Sequence, residues 1–273
     1  MFVLSGISMY AGAAVAVELF GHATPAGVAW LRCLGAAVVL LAWRRPGRAA
    51  WRGRRLLLAI VFGVVTAGMN VLFYEAIARL PLGTAVAVEF AGPVVVAALG
   101  SRTLRDILAL LLVAGGVVAI ADVRLGGSFW GVVFALSAAA AWAAYILLGK
   151  RVAVDGDGID SLAIGFAAAT LVLSPLAAGT GEVWSSPRML LLGIGVGVLS
   201  TVVPYGLDQV VLRRVGQARF ATLLALLPVT ASVMGFLLLG QVPGVVEAAG
   251  TLAVVGGVAL RSREAPVGAE PPG

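Results

Sequence analysis

The chain has 273 residues, of which 61% are hydrophobic and only 12% charged, with a formal net charge of +6. An average soluble domain carries roughly 45–50% apolar and about 25% charged residues, so this composition excludes a soluble globular fold and points to hydrocarbon as the outer solvent. One cysteine, Cys33, excludes an internal disulfide and a Cys-based metal site, lone His22 adds no metal case, and the basic residues lie between apolar runs, where membrane topology rather than nucleic acid puts them.

A spanning helix takes about 20 mostly apolar residues, with a range of roughly 17–25. Taken in chain order, such runs fall at 2–20, 26–43, 56–77, 83–101, 105–122, 129–149, 160–179, 188–209, 218–240 and 244–260. The first run lacks a basic leader and is followed by further spans, so it reads as a retained helix rather than a cleaved signal. It carries Glu18 near its end. The second carries Arg32 within the span. The third carries Asn70 and Tyr74, four apart and therefore on one helix face, with Glu75 beside them. The fourth holds Glu89 one turn before Pro93. Charges at bilayer depth cost at least about 2.5–3.5 kcal/mol on insertion scales, so an acid there is a functional candidate. Proline removes a helical hydrogen bond and opens the helix, and an acid beside the freed carbonyls has the chemistry for a substrate ammonium or a proton.

The sixth run carries Trp142 and Tyr145, the eighth Pro204-Tyr205 and Asp208, and the ninth Pro228. Asn70, Tyr74, Trp142, Tyr145 and Tyr205 are expected to line a polar-aromatic cavity. Glu89 is expected to meet a substrate ammonium or a proton, and Arg32 either to meet a substrate carboxylate or to form a structural ion pair with Glu18 or Glu75. Glu89, Glu18, Glu75 and Asp208 are the candidates for proton coupling, and Pro93 and Pro228 for helix breaks. Asp122 and Glu247 read as interfacial. Gly92, Gly115, Gly116, Gly256 and Gly257 read as sites of close helix packing. The tail over 264–273 is rich in Pro and Gly and is expected to be disordered.

Orientation follows the basic residues. With the N-terminus inside, only Arg79, Arg124 and Arg188 fall in outer segments, Arg32 lies within a span, and every other Lys or Arg is cytoplasmic. The halves also resemble each other at a constant offset of 135, pairing Arg79 with Arg214, Pro93 with Pro228 and Gly115 with Gly250. Five helices per copy make the second copy cross in the opposite sense. The expected fold is therefore an all-α integral membrane protein of ten transmembrane helices, both termini inside. It is built as two inverted five-helix repeats over 1–123 and 124–263. Inverted repeats are a mark of secondary transporters, with the substrate near the midplane between the copies.

The strings Gly68-Met69-Asn70-Val71-Leu72-Phe73-Tyr74 and Leu80-Pro81-Leu82-Gly83-Thr84 through Glu89-Phe90-Ala91-Gly92-Pro93 resemble the EamA-type permeases of the drug/metabolite transporter superfamily. So do Ala141-Trp142-Ala143-Ala144-Tyr145 and Leu199-Ser200-Thr201-Val202-Val203-Pro204-Tyr205. Within that superfamily the sequence is most similar to the threonine/homoserine exporter subgroup. The resemblance implies ten helices in two inverted repeats, and efflux of small amino acids or related metabolites driven by an ion gradient, here protons. The chain departs from the subgroup at Leu227 and Gln241, where a Glu is usual, and at Asp208, where a Glu is shortened.

The expected partners are a small-molecule substrate and the lipid bilayer of the cell (inner) membrane, with a homodimer left open. No cofactor, metal or nucleic acid is expected. Uptake and drug efflux are alternatives within transport. A membrane enzyme acting on lipid is the alternative from another class, and it lacks a cluster of catalytic His, Asp or Ser near one interface. No phosphate-cradling G-x-x-x-x-G-K-[ST] loop is present to serve an ATP-driven pump.

Overall fold

The computed structural model describes residues 2–100, 103–155, 158–204, 207 and 226–262. Every regular element among them is helical. In chain order these are α1 (Phe2–Leu19), α2 (Pro25–Arg44), α3 (Gly53–Ile77), α4 (Leu82–Glu89) and α5 (Ala91–Gly100). There follow α6 (Leu104–Asp155), α7 (Gly158–Val172), α8 (Pro187–Gly197), α9 (Leu226–Leu239) and α10 (Val245–Ser262). Short 3-10 helices cover Arg48–Trp51 and Ser174–Ser185, and a π turn covers Val198–Val202.

Local chemistry starts these helices. Thr24 precedes Pro25 and its hydroxyl accepts the Gly27 N–H at 3.0 Å. Ser186 does the same before Pro187. Each pair joins a side-chain acceptor for an orphan amide to a proline whose missing N–H costs nothing in the first turn. Thr103 and Asp106 form a reciprocal box at the start of α6, with the Thr103 N–H donating to Asp106 at 3.0 Å and the Asp106 N–H to Thr103 at 3.2 Å.

The molecule exposes large apolar side chains and buries several polar ones within a mainly apolar interior, as a protein solvated by lipid can. Leu171, Leu191, Leu237, Val245 and Leu252 are exposed, whereas Arg32, Asn70, Glu89 and Glu247 are buried. Among the described residues, α2, α3 and Ser128–Gly149 of α6 are each long and apolar enough to cross a membrane. Shorter apolar helices account for α1, α9, α10 and the stretches Leu82–Val96 and Pro187–Val202. The chain is a helical, multi-pass membrane protein.

Three expected spans are not straight helices. The run at 83–101 divides at Phe90 into α4 and α5. Pro93 cannot donate to the carbonyl four residues back, which belongs to Glu89, and its ring crowds that carbonyl. The run at 160–179 bends by 84° between α7 and the 3-10 segment, where Pro175 deprives the Leu171 carbonyl of its donor in the same way. The run at 188–209 widens into the π turn four residues before Pro204. The turn expected at 126–128 is reduced to a single non-helical residue, Ser128, within α6.

Glycines let the helices touch backbone to backbone. A Cβ on Gly63 of α3 would collide with the backbone of Gly165 on α7, and one on Gly35 of α2 would lie 2.5 Å from the Ile194 carbonyl of α8. Of the glycines assigned to packing from sequence, Gly92, Gly116 and Gly257 lie against neighbouring helices, while Gly115 and Gly256 have nothing within 4 Å. The two therefore correct that expectation: they face open space. Gly63→Val is expected to cost at least about 1–3 kcal/mol through overpacking, seen as a lowered thermal midpoint of the detergent-solubilised protein. Gly115→Ala is expected to leave the midpoint unchanged.

Candidate functional site

Arg32, Asn70 and Glu89 lie at one level. Each is seven residues in from a helix end, namely Pro25, Ile77 and Leu82, which at 1.5 Å per residue is about 10 Å of helix. Those three ends are on the same side of the bundle, because α2 and α3 join at their other ends and α3 leads directly into α4. Arg32, Asn70, Tyr74 and Glu89 are all at least nine-tenths buried.

Arg32 is held on two sides. Its Nε donates to Thr201 Oγ1 at 3.1 Å and its Nη2 to the Ser200 carbonyl at 3.0 Å. The guanidinium carbon stands 5.5 Å from the centre of the Tyr74 ring, within cation–π range. A guanidinium has five N–H donors, so three remain after these two bonds.

Glu89 closes α4 at the break made by Pro93. Its charge is felt by the Arg32 guanidinium and by the Tyr10 phenol of α1. Among the described residues no direct ion pair joins Arg32 to Glu89; the acids Glu75, Asp160 and Glu182 pair with Arg79, Arg44 and His22. Phe90, the residue at the break, packs edge-on against Trp142 with centroids 4.8 Å apart.

Asn70 Nδ2 makes no hydrogen bond to the described residues, and Tyr74 Oη, although near Arg32 and Ser200, makes none of good geometry. A buried polar group without a partner costs about 1–3 kcal/mol. Arg32, Asn70 and Glu89 share one depth of the bundle, with Tyr74 one turn from Asn70 and beside Arg32.

The other residues singled out from sequence fall elsewhere. Tyr145 stacks on Phe62 with centroids 4.8 Å apart, in a second apolar cluster, so Trp142 and Tyr145 have different ring partners despite sharing a face. Glu18 is exposed at the end of α1. Glu75 pairs with Arg79 at 2.5 Å near the end of α3. Pro228 is buried in α9, but the carbonyl four residues before it lies outside the described residues, as do Tyr205 and Asp208.

Sequence reading passed over Tyr10, Ser200 and Thr201. The signal for the last two was present: Pro204 stands four residues after Ser200, as Pro93 stands four after Glu89, and each frees a buried carbonyl. It also placed Glu247 at an interface, whereas Glu247 is buried, accepts the Gly244 N–H at 3.0 Å as a first-turn cap of α10, and takes the Thr84 hydroxyl at 3.2 Å. Gln241, where an acid is usual, accepts the Leu82 N–H at 2.8 Å and so caps α4 from the α9–α10 connection. An amide oxygen suffices for that bond.

The profile of the EamA-like transporter family matches this chain twice, over residues 1–125 and 129–263. The threonine/homoserine exporter RhtA of Escherichia coli (strain K12) is 35% identical over 238 residues, spanning 86% of this chain and 80% of that protein. RhtA of Salmonella typhimurium (strain SL1344) is 34% identical over the same shares. A solved crystal structure of a protein aligns over 95% of this chain and 94% of its own, with a TM-score of 0.63 at 21% identity, and shares the fold.

Proposed function

This chain belongs to the EamA-like transporter family, and from that premise we propose that it is a secondary exporter of small zwitterionic amino acids or related metabolites, of the threonine and homoserine kind. It works across the cell (inner) membrane by proton antiport. The observation that carries this reading is the buried, unjoined pair of Arg32 and Glu89 beside the unbonded polar atoms of Asn70 and Tyr74. An α-amino acid presents a carboxylate and an ammonium a few ångströms apart. The three remaining donors of Arg32 suit the carboxylate. Glu89 suits the ammonium, and Asn70 and Tyr74 suit a side-chain hydroxyl. The RhtA proteins, named as threonine/homoserine exporters, support the substrate class.

Proton coupling follows if Glu89 holds either a proton or the ammonium, never both. Substrate arriving from the cytoplasm displaces the proton, and a proton arriving from outside displaces the substrate. The overall design is ten spans in two inverted repeats, over 1–123 and 124–263, with both termini inside. The double match of the family profile and the arginine distribution support it.

The test is counterflow and pH-driven transport in proteoliposomes with a panel of labelled amino acids. Threonine and homoserine are expected to exchange, and an imposed pH gradient to drive their accumulation. Transport of hydrophobic cations with no exchange of amino acids would favour drug efflux. Accumulation indifferent to the pH gradient would remove the antiport.

A further inference from the structure

Pro204 has no N–H, so the Ser200 carbonyl four residues earlier lacks its α-helical donor. The backbone widens there into the π turn Val198–Val202, with the Val203 N–H reaching back to the Val198 carbonyl. Such single-turn bulges often mark functional sites. The freed Ser200 carbonyl takes Arg32 Nη2, and the next side chain, Thr201, takes Arg32 Nε. Thr201 is fully buried. The turn's other side is tied to α1: Ser200 Oγ donates to the Met9 carbonyl at 3.1 Å and Ser8 Oγ to the Leu199 carbonyl at 2.8 Å. Gly12 leaves the room for this, since a Cβ there would strike Ser200 Oγ. The turn is thus clamped to one helix and presents two acceptors to a cation on another.

Arg32 is also drawn by the charge of Glu89 and the face of the Tyr74 ring. If it moved onto Glu89, the two charges would neutralise each other and neither would be left for a zwitterion. We propose that Thr201 is a positioning residue: with the Ser200 carbonyl it holds the Arg32 fork back from Glu89 by one edge and leaves the donors of its other edge for a substrate carboxylate. This rests on the reading that Arg32 receives the substrate carboxylate. The carbonyl sets where the guanidinium sits. The hydroxyl sets its rotation, because Nε and Nη2 lie on one edge of the fork and bonding both turns the opposite edge outward.

The experiment is equilibrium binding of labelled threonine to the purified full-length protein, comparing wild type, Thr201→Val, Thr201→Ser, Arg32→Gln and Arg32→Gln/Thr201→Val. Valine matches threonine in shape and lacks the acceptor. It is expected to weaken binding about tenfold, the worth of one hydrogen bond to a charged group. Serine restores the acceptor and is expected to stay within about twofold of wild type. In the Arg32→Gln background Thr201→Val should add nothing, because a positioning residue acts only through the group it positions. Wild-type binding by Thr201→Val, or an undiminished tenfold loss in the Arg32→Gln background, would overturn the role of Thr201. Wild-type binding by Arg32→Gln would instead overturn the carboxylate reading beneath it. Thermal midpoints of all five proteins identify any variant whose loss is one of folding. If Thr201→Val is destabilised, Thr201→Ala with Thr201→Ser as its rescue gives the same comparison.

Discussion

Glu89→Gln is expected to abolish proton-coupled efflux while leaving the protein folded and in the membrane. Glutamine keeps the shape of the side chain and an acceptor oxygen, but it neither titrates nor carries charge. Removing one partner of a desolvated charged contact costs about 2–5 kcal/mol, or roughly 30-fold to several-thousand-fold in affinity. The loss should appear both as weak threonine binding and as indifference of any residual flux to pH. The matching position in the second half, 135 residues on, is Leu224, and Leu227 precedes Pro228. The account therefore gives one carboxyl both tasks. Proton-driven efflux by Glu89→Gln at the wild-type rate would move the coupling role to Glu18, Glu75 or Asp208.

Arg32→Gln is expected to raise the KM for zwitterionic substrates by a similar factor, with a smaller effect on a substrate amide that lacks the carboxylate. Arg32→Lys should fall between wild type and Arg32→Gln. An ammonium has three donors on one point and cannot reach Thr201, the Ser200 carbonyl and a carboxylate together as a planar fork does. The check is the ratio of KM values for threonine and threoninamide in each variant. An unchanged ratio in Arg32→Gln would place the carboxylate elsewhere.

The parts of this molecule legible in the sequence are those set by local chemistry. Apolar length marks the helices. Thr24-Pro25, Thr103 with Asp106, and Ser186-Pro187 mark where three of them begin. Arg32 and Glu89 stand out because ionised groups are rare at that depth. Less legible was anything decided by a partner distant in sequence. Thr201 and Ser200 are ordinary small polar residues until Arg32, about 170 positions earlier, comes to rest on them. Tyr10 reads as one more aromatic on α1, and Glu247 as an interfacial acid, until neighbouring helices close over them. Pro93, Pro175 and Pro204 announce breaks, but their spacing does not say whether a helix divides, turns by 84° or widens into a π turn. Packing chooses among those outcomes. The same holds for glycines: Gly115 and Gly116 are neighbours in sequence, yet only Gly116 meets another helix.

The central claim is that a zwitterion is held by its two ends between Arg32 and Glu89. It is tested most directly by the binding of three ligands to the wild-type protein: threonine, threoninamide, which lacks the carboxylate, and 2,3-dihydroxybutanoate, which lacks the ammonium. The account predicts that each analogue binds at least roughly 30-fold more weakly than threonine, the lower bound for an unpaired desolvated charge. It also predicts that Arg32→Gln narrows the gap only for the amide and Glu89→Gln only for the hydroxy acid. Equal binding of all three ligands would contradict it.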